Sequence, residues 1–320
     1  MKAIVYERYG SPDELRLAEV ARPEPGPGEV RVAVRAASLN SWDWDKLTGR
    51  PLLARLPGLF NPAHRVLGCD VAGVVDAVGV GVRDFAVGDE VFGDLSGGAW
   101  GGFAEWVAAP TASLARKPPS LGFEQAAALP QAGVIALQAL RDEGALAAGQ
   151  EVLINGAGGG VGTLGLQWAK AQGATVTVVD RGDKLAMLRE LGADRTIDYA
   201  QEDFTQAGRR YDLVVDVVAQ HSIVAYRRVL SEGGTLVVVG GRPAVVSSIL
   251  LFGSTLGLSR QRLRVLFHRP NRADLELLAQ LVVEGTLEPV IERTYPLAQA
   301  AEAFRRLGAG LARGKLVILP

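Results

Sequence analysis

A glycine-rich segment in the middle of the chain has the spacing of a phosphate-binding turn. Apolar residues 152–154 are followed by Asn155-Gly156-Ala157-Gly158-Gly159-Gly160-Val161-Gly162 and then by a stretch with helical spacing. The Ala157-x-Gly159-x-x-Gly162 register allows a tight turn, brings the backbone close to a pyrophosphate and packs a helix on the preceding strand. A merely flexible loop is the alternative, but an acid, Asp180, stands roughly 20 residues further on, as in dinucleotide-binding units.

The residues after the next apolar run bear on which dinucleotide would bind. Asp180 is placed to accept hydrogen bonds from both ribose hydroxyls, which favours NADH. Arg181 and Lys184 are placed to pair with a 2′-phosphate, which favours NADPH, although a solvated surface pair would have the same sequence. These three residues leave the choice between the two cofactors open.

Alternating strands and helices are expected to hold the turn. Unbroken apolar strands separated by helices predict a parallel sheet covered on both faces. The predicted strands are Glu151–Asn155, Ala174–Asp180, Tyr211–Val218, Thr235–Val239 and Arg262–Phe267. The predicted helices between them include Val161–Gln172 and Asp183–Leu191.

The first part of the chain has a different pattern, in which short β-like runs are separated by Gly and Pro. This pattern predicts a barrel or a sandwich. Its predicted strands are Lys2–Tyr6, Val30–Ala36, Val71–Val78, Glu90–Phe92 and Phe103–Ala108. Helical spacing follows at Ala126–Arg141 and returns at Asp274–Glu284, and a last strand, Lys315–Leu319, is expected to rejoin the first domain.

Composition excludes several classes of function. One Cys and three His among 320 residues cannot form a Cys₄ or Cys₂His₂ zinc cluster, and they give no disulfide framework. A formal net charge of −1 gives no electrostatic reason to bind nucleic acid or an anionic membrane. Charges at Glu7 and Arg8 interrupt the position of a signal peptide's apolar run, and no stretch approaches roughly 18 apolar residues. We therefore expect a cytoplasmic protein with no membrane or nucleic-acid partner.

Several segments together resemble the medium-chain dehydrogenase/reductase superfamily and, within it, the zinc-independent quinone oxidoreductase (zeta-crystallin-like) family. They occur in family order over nearly the whole chain. They include residues 67–79 (LGCDVAGVVDAVG), 87–93 (VGDEVFG), 101–106 (GGFAEW), 126–130 (AAALP), the 152–162 turn, 191–194 (LGAD), 197–199 (IDY) and 314–317 (GKLV). The subgroup with Asn40-x-x-Asp43-Trp44 includes organellar quinone oxidoreductase homologues, with enone reductases as close relatives.

The resemblance implies an α/β fold with a GroES-like β-rich catalytic domain, residues 1–122 and 270–320, and a Rossmann doubly wound parallel-sheet domain, residues 123–269. It implies a homodimer joined through the edge strand Arg262–Phe267. It also implies NADPH-dependent reduction of quinones or α,β-unsaturated carbonyls by hydride transfer, with NADH as a possible cofactor. A non-catalytic NADPH-binding protein and an NAD(H)-preferring alcohol dehydrogenase remain as alternatives.

The resemblance also assigns residues to the site. Zinc-dependent relatives place Cys, His and Cys at positions that match Asn40, Cys69 and a residue near Gln131, so no metal site is expected. Asn40 and Asp43 are implied as catalytic residues on the nicotinamide side, and Asp45 stands where many relatives have a Tyr. The implied cofactor-binding residues are Asn155, Gly156, Ala157, Gly158, Gly159, Gly160, Val161, Gly162, Asp180, Arg181, Lys184, Tyr199, Val218, Ala219, Val239, Gly240, Gly241 and Lys315. Tyr199, which matches a family Tyr near the adenosine 2′ position, favours NADPH. Trp44, Ile135 and Phe252 are expected in the substrate pocket.

Overall fold

The computed structural model describes residues 1–252 and 260–320. The strands in this part are β1 (Lys2–Val5), β2 (Arg16–Glu19), β3 (Glu29–Ser38), β4 (Asp70–Val78), β5 (Glu90–Asp94), β6 (Trp106–Pro110), β7 (Leu114–Arg116), β8 (Glu151–Asn155), β9 (Thr175–Asp180), β10 (Arg195–Asp198), β11 (Tyr211–Asp216), β12 (Leu230–Val238), β13 (Arg262–Val265), β14 (Ile291–Pro296) and β15 (Lys315–Leu319). The helices are α1 (Ser41–Thr48), α2 (Phe123–Ala127), α3 (Pro130–Leu137), α4 (Gly160–Ala171), α5 (Leu185–Glu190), α6 (Ile223–Val229), α7 (Pro243–Phe252), α8 (Arg272–Val283) and α9 (Ala300–Gly308).

The chain divides into two compact units. Unit 1 consists of Met1–Ala132, Pro270–Gly285 and Pro289–Pro320, and unit 2 of Gly133–Arg269 and Thr286–Glu288. The domain limits taken from the sequence, 122/123 and 269/270, stay a prediction.

Unit 2 is built on a six-stranded sheet with the order β10-β9-β8-β11-β12-β13. All five strand pairs are parallel, so the carboxyl ends of the strands meet at one edge. Numbered within the unit the order is 3-2-1-4-5-6, the doubly wound arrangement in which ligands bind beyond the carboxyl ends, where the order reverses. Apolar residues of both sheet faces are buried, which explains the continuous Val- and Leu-rich strands.

Unit 1 contains a seven-stranded sheet in which β14, β15, β3, β4, β5 and β7 follow one another and β6 also pairs with β3. Most of its ladders are antiparallel, as short strands joined by Gly and Pro turns predict. The last strand, β15, pairs with β3 and so confirms that the carboxyl end of the chain rejoins this unit. The expected α/β fold, with a β-rich unit and a doubly wound parallel-sheet unit, is therefore confirmed.

Several predicted bounds differ from the structure; the strand expected at Thr235–Val239, for example, already begins at Leu230. The helix expected over Ala126–Arg141 is interrupted, because α2 ends at Ala127, α3 begins at Pro130 and Gln138–Glu143 forms a wider turn of π-helix. Proline has no amide hydrogen to continue a helix but fits well at the first position of a new one. The strand expected at Phe103–Ala108 begins later, at Trp106. In the described residues no helix combines the length and the apolar character needed to cross a membrane.

Candidate functional site

The glycine-rich turn of unit 2 joins the carboxyl end of β8 to the amino end of α4. Gly156 has φ +79°, a value that side chains other than glycine rarely adopt. A Cβ on Gly162 would lie 2.3 Å from the Cα of Ala157, so only glycine allows α4 to pack this closely on the turn. The sequence therefore encodes the local shape of this turn through residues that lack side chains.

The first turn of α4 offers backbone amides rather than side chains to a ligand. Its N-cap, Gly159, has no side chain to hydrogen-bond those amides, and the helix dipole adds partial positive charge there. A pyrophosphate fits this arrangement, because anions bind at helix amino ends that carry unsatisfied N–H groups. In this structure residues 159–162 are thus the part of the predicted cofactor site best suited to hold a dinucleotide.

Three charged residues stand close to the turn, at and after the end of β9. Asp180 accepts a hydrogen bond from the Gly158 amide at 2.6 Å, and the Lys184 ammonium lies 3.6 Å from its other oxygen. Both side chains are buried. Arg181 is partly exposed and pairs with Asp183 at 3.1 Å, while Tyr199 is exposed and its amide donates to the Asp180 carbonyl.

The other predicted cofactor residues of unit 2 follow the ends of β8, β11 and β12. Ala219 pairs with Gly241 in a parallel bridge, and a Cβ on Gly241 would lie 2.2 Å from the Ala219 carbonyl oxygen. Ala219 is buried, whereas Val218 is exposed. Val239 packs partly against the core, and the Gly240 carbonyl accepts the Ala219 amide.

Asn155 belongs to a polar network that the sequence did not reveal. Its amide donates to Asp216 at 2.9 Å, and the Tyr226 hydroxyl donates to the same carboxylate at 2.7 Å. Burial raises the pKa of Asp216, and these hydrogen bonds oppose that rise. The network fixes the carboxyl ends of β8 and β11 relative to each other. Asn155 therefore stabilises the start of the glycine turn, which follows it directly in the chain. In the sequence, the only sign of this network was an acid, Asp216, at the end of a buried strand.

A second polar cluster lies inside unit 1 and contains the predicted catalytic residues. The Asn40 amide donates to Cys69 Sγ at 3.3 Å and to Asp70 at 2.8 Å, while its carbonyl oxygen accepts from the Lys315 ammonium. Lys315 also lies 3.2 Å from Asp70. We refer to Asn40, Asp43, Cys69, Asp70, Gln131 and Lys315 as the buried cluster, since each is less than a tenth exposed.

Asp43 closes the buried cluster on the side of α1. Its two carboxylate oxygens accept the backbone amides of Asn40 and Gly68, both at 2.9 Å. Burial raises the pKa of Asp43 to about 7, although these amide donors oppose the rise. Asp43 thus ties the start of α1 to the loop before β4. Contact of Asn40 or Asp43 with a substrate stays a prediction, and in this structure both side chains are engaged within unit 1.

Three further predicted positions have packing contacts. Trp44 packs against the core of unit 1 and lies over Gly308 of α9, where a Cβ would approach its ring to 2.1 Å. Ile135 packs against the core of unit 2. Phe252, the last residue before the undescribed 253–259, is about half exposed. The contacts of Trp44 and Ile135 favour packing, and the role of all three in a substrate pocket stays a prediction.

Comparison with known proteins agrees with this arrangement. Residues 26–119 match the alcohol dehydrogenase GroES-like domain, and residues 191–318 match the zinc-binding dehydrogenase family. The chloroplast envelope quinone oxidoreductase homolog of Arabidopsis thaliana is 33% identical, over 100% of this chain and 98% of that protein. The chloroplastic NADPH-dependent alkenal/one oxidoreductase of the same plant is 34% identical, over 100% of this chain and 80% of that protein.

A solved structure extends the likeness to the whole fold. The quinone oxidoreductase from Coxiella burnetii superposes with a TM-score of 0.91 at 33% identity, covering 100% of this chain and 99% of that one. The chain belongs to the quinone oxidoreductase family of the medium-chain dehydrogenases/reductases. It is accordingly an NAD(P)H-dependent oxidoreductase by family.

Some members of this superfamily carry zinc, and the buried cluster, together with the neighbouring Asp94, does not fit that metal. Cys69, Asp70 and Asp94 present possible ligand atoms within 4.8 Å of one another. However, the Lys315 ammonium already faces Asp70, and the amide groups of Asn40 and Gln131 donate to Cys69 Sγ. Burial raises the pKa of the Cys69 thiol well above its usual range, which opposes the thiolate that zinc requires.

Proposed function

We propose that this protein reduces quinones or α,β-unsaturated carbonyl compounds with NADPH and without a metal. The glycine turn between β8 and α4 carries the proposal, because its backbone is shaped for a pyrophosphate by contacts that only glycine permits. When bound, the reduced nicotinamide supplies a hydride. The acceptor gains that hydride and a proton, which gives a quinol or a saturated carbonyl compound.

The preference for NADPH is supported by basic groups beside the turn. Lys184 lies against Gly158, and the partly exposed Arg181 and the exposed Tyr199 flank the end of β9. A lysine, an arginine and a tyrosine hydroxyl are suitable partners for a 2′-phosphate. A relative at 34% identity bears the name of an NADPH-dependent enzyme. NADH is proposed as the weaker cofactor.

The metal-free part of the proposal rests on Lys315. Its ammonium supplies the positive charge beside Asp70 inside unit 1, so the buried carboxylate has no need of a cation from solution. Quinones and enones accept a hydride without strong polarisation by a metal, since hydrogen-bond donors can stabilise the developing oxyanion. Simple aldehydes depend more on such polarisation.

The test combines turnover with metal analysis. Purified protein is mixed with NADPH and a 1,2-quinone, a 1,4-quinone or an alkenal, and cofactor oxidation is followed by absorbance; zinc is measured by mass spectrometry. We expect oxidation of NADPH in protein that contains no stoichiometric zinc. Tight NADPH binding without turnover of any acceptor would favour a non-catalytic binding protein. Zinc at one atom per chain, with oxidation of simple alcohols, would favour an alcohol dehydrogenase.

We further propose that the protein forms a homodimer through β13, which ends the sheet order of unit 2. Leu266 donates its amide inward to Val238, so the amide of the preceding residue, Val265, faces away from β12. Light scattering should give a dimer mass for the wild type and a monomer mass for Val265→Pro, which removes that outward amide. An unchanged mass would contradict this contact. A cytoplasmic location stays a prediction.

A further inference from the structure

Asp180 makes contacts that differ from those expected of a ribose-binding acid. One of its carboxylate oxygens accepts the Gly158 amide at 2.6 Å, and the other accepts the amide of the adjacent Arg181 at 2.8 Å. The Lys184 ammonium lies 3.6 Å from that second oxygen. Asp180 and Lys184 are each only 6% exposed. The carboxylate is thus surrounded by donors of its own chain.

Gly158 completes this arrangement, because the Lys184 side chain passes directly over it. A Cβ on Gly158 would lie 2.5 Å from Cδ of Lys184 and 3.0 Å from a carboxylate oxygen of Asp180. The two preceding amides of the turn, those of Gly156 and Ala157, both donate to the carbonyl of Val179. Three successive amides of the turn are therefore fastened to the end of β9, and the third depends on the Asp180 side chain.

An acid at this position ordinarily accepts the ribose hydroxyls and thereby selects NADH. Here a ribose would have to compete with the Gly158 amide, and the charge-assisted hydrogen bond at 2.6 Å is a strong one. We propose that Asp180 is a positioning residue, which holds the glycine turn and Lys184 in place for either dinucleotide, and that it does not select NADH. This inference rests on the proposed function, in that unit 2 binds a reduced nicotinamide dinucleotide.

The two roles predict different results for two substitutions. Asp180→Asn keeps one oxygen that can accept the Gly158 amide but loses the acceptor and the charge beside Arg181 and Lys184. Asp180→Ala removes every acceptor. A positioning residue therefore tolerates Asn better than Ala, and its loss weakens both cofactors. If Asp180 instead binds the ribose and selects NADH, both substitutions weaken the binding of NADH and leave the binding of NADPH unchanged.

Direct binding separates these outcomes without depending on turnover. The full-length wild type, Asp180→Asn and Asp180→Ala are titrated with NADPH and with NADH, with nicotinamide fluorescence as the signal. The melting temperature of each protein is recorded without cofactor. Asp212→Ala is the matched control, since Asp212 also accepts an amide from a neighbouring strand, that of Glu151 at 3.0 Å, but at the opposite end of the sheet.

We expect Asp180→Ala to raise the Kd of both NADPH and NADH roughly 10-fold, as the loss of one good hydrogen bond implies, with NADPH affected at least as strongly because Lys184 also loses its partner. It should also lower the melting temperature of the cofactor-free protein. Asp180→Asn should stay within about 3-fold of the wild type for both cofactors. Asp212→Ala should lower the melting temperature but leave both Kd values unchanged.

The inference is overturned if Asp180→Ala or Asp180→Asn weakens NADH at least 10-fold while NADPH binds as well or better. It is also overturned if Asp180→Ala changes neither Kd nor the melting temperature. If Asp180→Ala fails to fold, Asp180→Asn decides: retention of NADH binding supports the positioning role, and selective loss contradicts it. A wild type that binds neither dinucleotide refutes the proposed function instead.

Discussion

The two units place polar groups in opposite ways. In unit 1 the buried cluster consists of side chains that satisfy one another, so that Lys315 faces Asp70 and Asp43 accepts two backbone amides. In unit 2 the glycine turn leaves the first amides of α4 without a side-chain cap. A closed set of hydrogen bonds stabilises and orients, whereas unsatisfied amides attract a ligand. The buried cluster thus has the features of a structural network, whereas the glycine turn has those of the proposed ligand site.

The largest loss of stability is expected from a substitution in the buried cluster. Lys315→Met removes the ammonium and leaves the fully buried Asp70 without its cation. Breaking a buried ion pair from one side costs about 3–5 kcal/mol. Urea denaturation, followed by tryptophan fluorescence, should show that loss in the free energy of unfolding of unit 1. Lys2→Met, at an exposed lysine of β1, is the control, and a loss below about 1 kcal/mol for Lys315→Met would show that the cluster does not need the charge.

The second prediction concerns the close packing of α4 on the glycine turn. Gly162→Ala would place a Cβ 2.3 Å from the Ala157 backbone, which cannot move aside without displacing the turn. We expect a loss of about 1–3 kcal/mol in stability together with a fall in NADPH affinity of at least tenfold, measured by fluorescence titration. Gly165→Ala is the matched control in the same helix, because its Cβ would meet its nearest neighbour at 3.6 Å. Equal behaviour of the two variants would mean that close packing at residue 162 is not required.

A carboxyl of unit 1 outside the buried cluster gives a pH-dependent test. Burial raises the pKa of Asp45 in α1 to about 7. Between about pH 4 and pH 7 the folded state therefore keeps a proton that the unfolded state has lost, and stability falls as pH rises through this window. A shift of about three units corresponds to about 4 kcal/mol, which solvent around the partly exposed Asp45 reduces to about 2 kcal/mol. Asp45→Asn should remove this penalty and so stabilise the protein by about 2 kcal/mol at pH 8, with no gain below pH 4.

The control for Asp45→Asn is a carboxyl whose pKa is shifted in the opposite direction. In unit 2 burial raises the pKa of Asp194, but the Lys170 ammonium and the Val176 amide together lower it more, so that the pKa lies below its usual value. Asp194→Asn should therefore cost stability at neutral pH, and the difference from the wild type should shrink as pH falls through the lowered pKa. A gain in stability at pH 8 that persists at pH 4 for Asp45→Asn would show that charge is not the cause.

The smallest effect concerns cofactor choice at the surface of unit 2. Arg181 is partly exposed, and its guanidinium pairs with Asp183. If Arg181 contacts a 2′-phosphate, Arg181→Ala should lower the ratio of NADPH to NADH affinity by roughly tenfold, or about 1.4 kcal/mol. Arg189→Ala, at an exposed arginine of α5, should leave the ratio unchanged. An unchanged ratio for Arg181→Ala would remove Arg181 from the proposed site.

The glycine turn could be predicted because the residues that determine its shape are close together in the sequence. Gly156, Gly159 and Gly162 lie within one short segment, and their effect depends on the absence of side chains beside a strand and a helix. The resemblance to family motifs predicted the two-unit fold for a similar reason, since those motifs mark turns and strand ends. The break before Pro130 was missed because apolar spacing outweighed the proline in the prediction of the helix.

The buried cluster could not be predicted as a unit. Lys315 and Asp70 are separated by 245 positions, and Lys315 and Asn40 by 275. The resemblance pointed to Asn40, Asp43 and Lys315 one by one, but it did not show that their polar atoms are directed at one another. Asp216 and Tyr226 were missed for the same reason, because a hydrogen bond between a strand end and a later helix leaves no periodic signal.

The sequence by itself determined the alternation of strands and helices in unit 2 and the shape of the glycine turn, since both follow from the spacing of glycine and apolar residues along the chain. Only the tertiary structure decided what the charged residues do. Asp180 faces the Gly158 amide, and Lys315 faces Asp70 and Asn40, within the units to which they belong. The physical reason is that a charge takes its role from the partners that burial leaves within reach, and those partners come from distant parts of the chain.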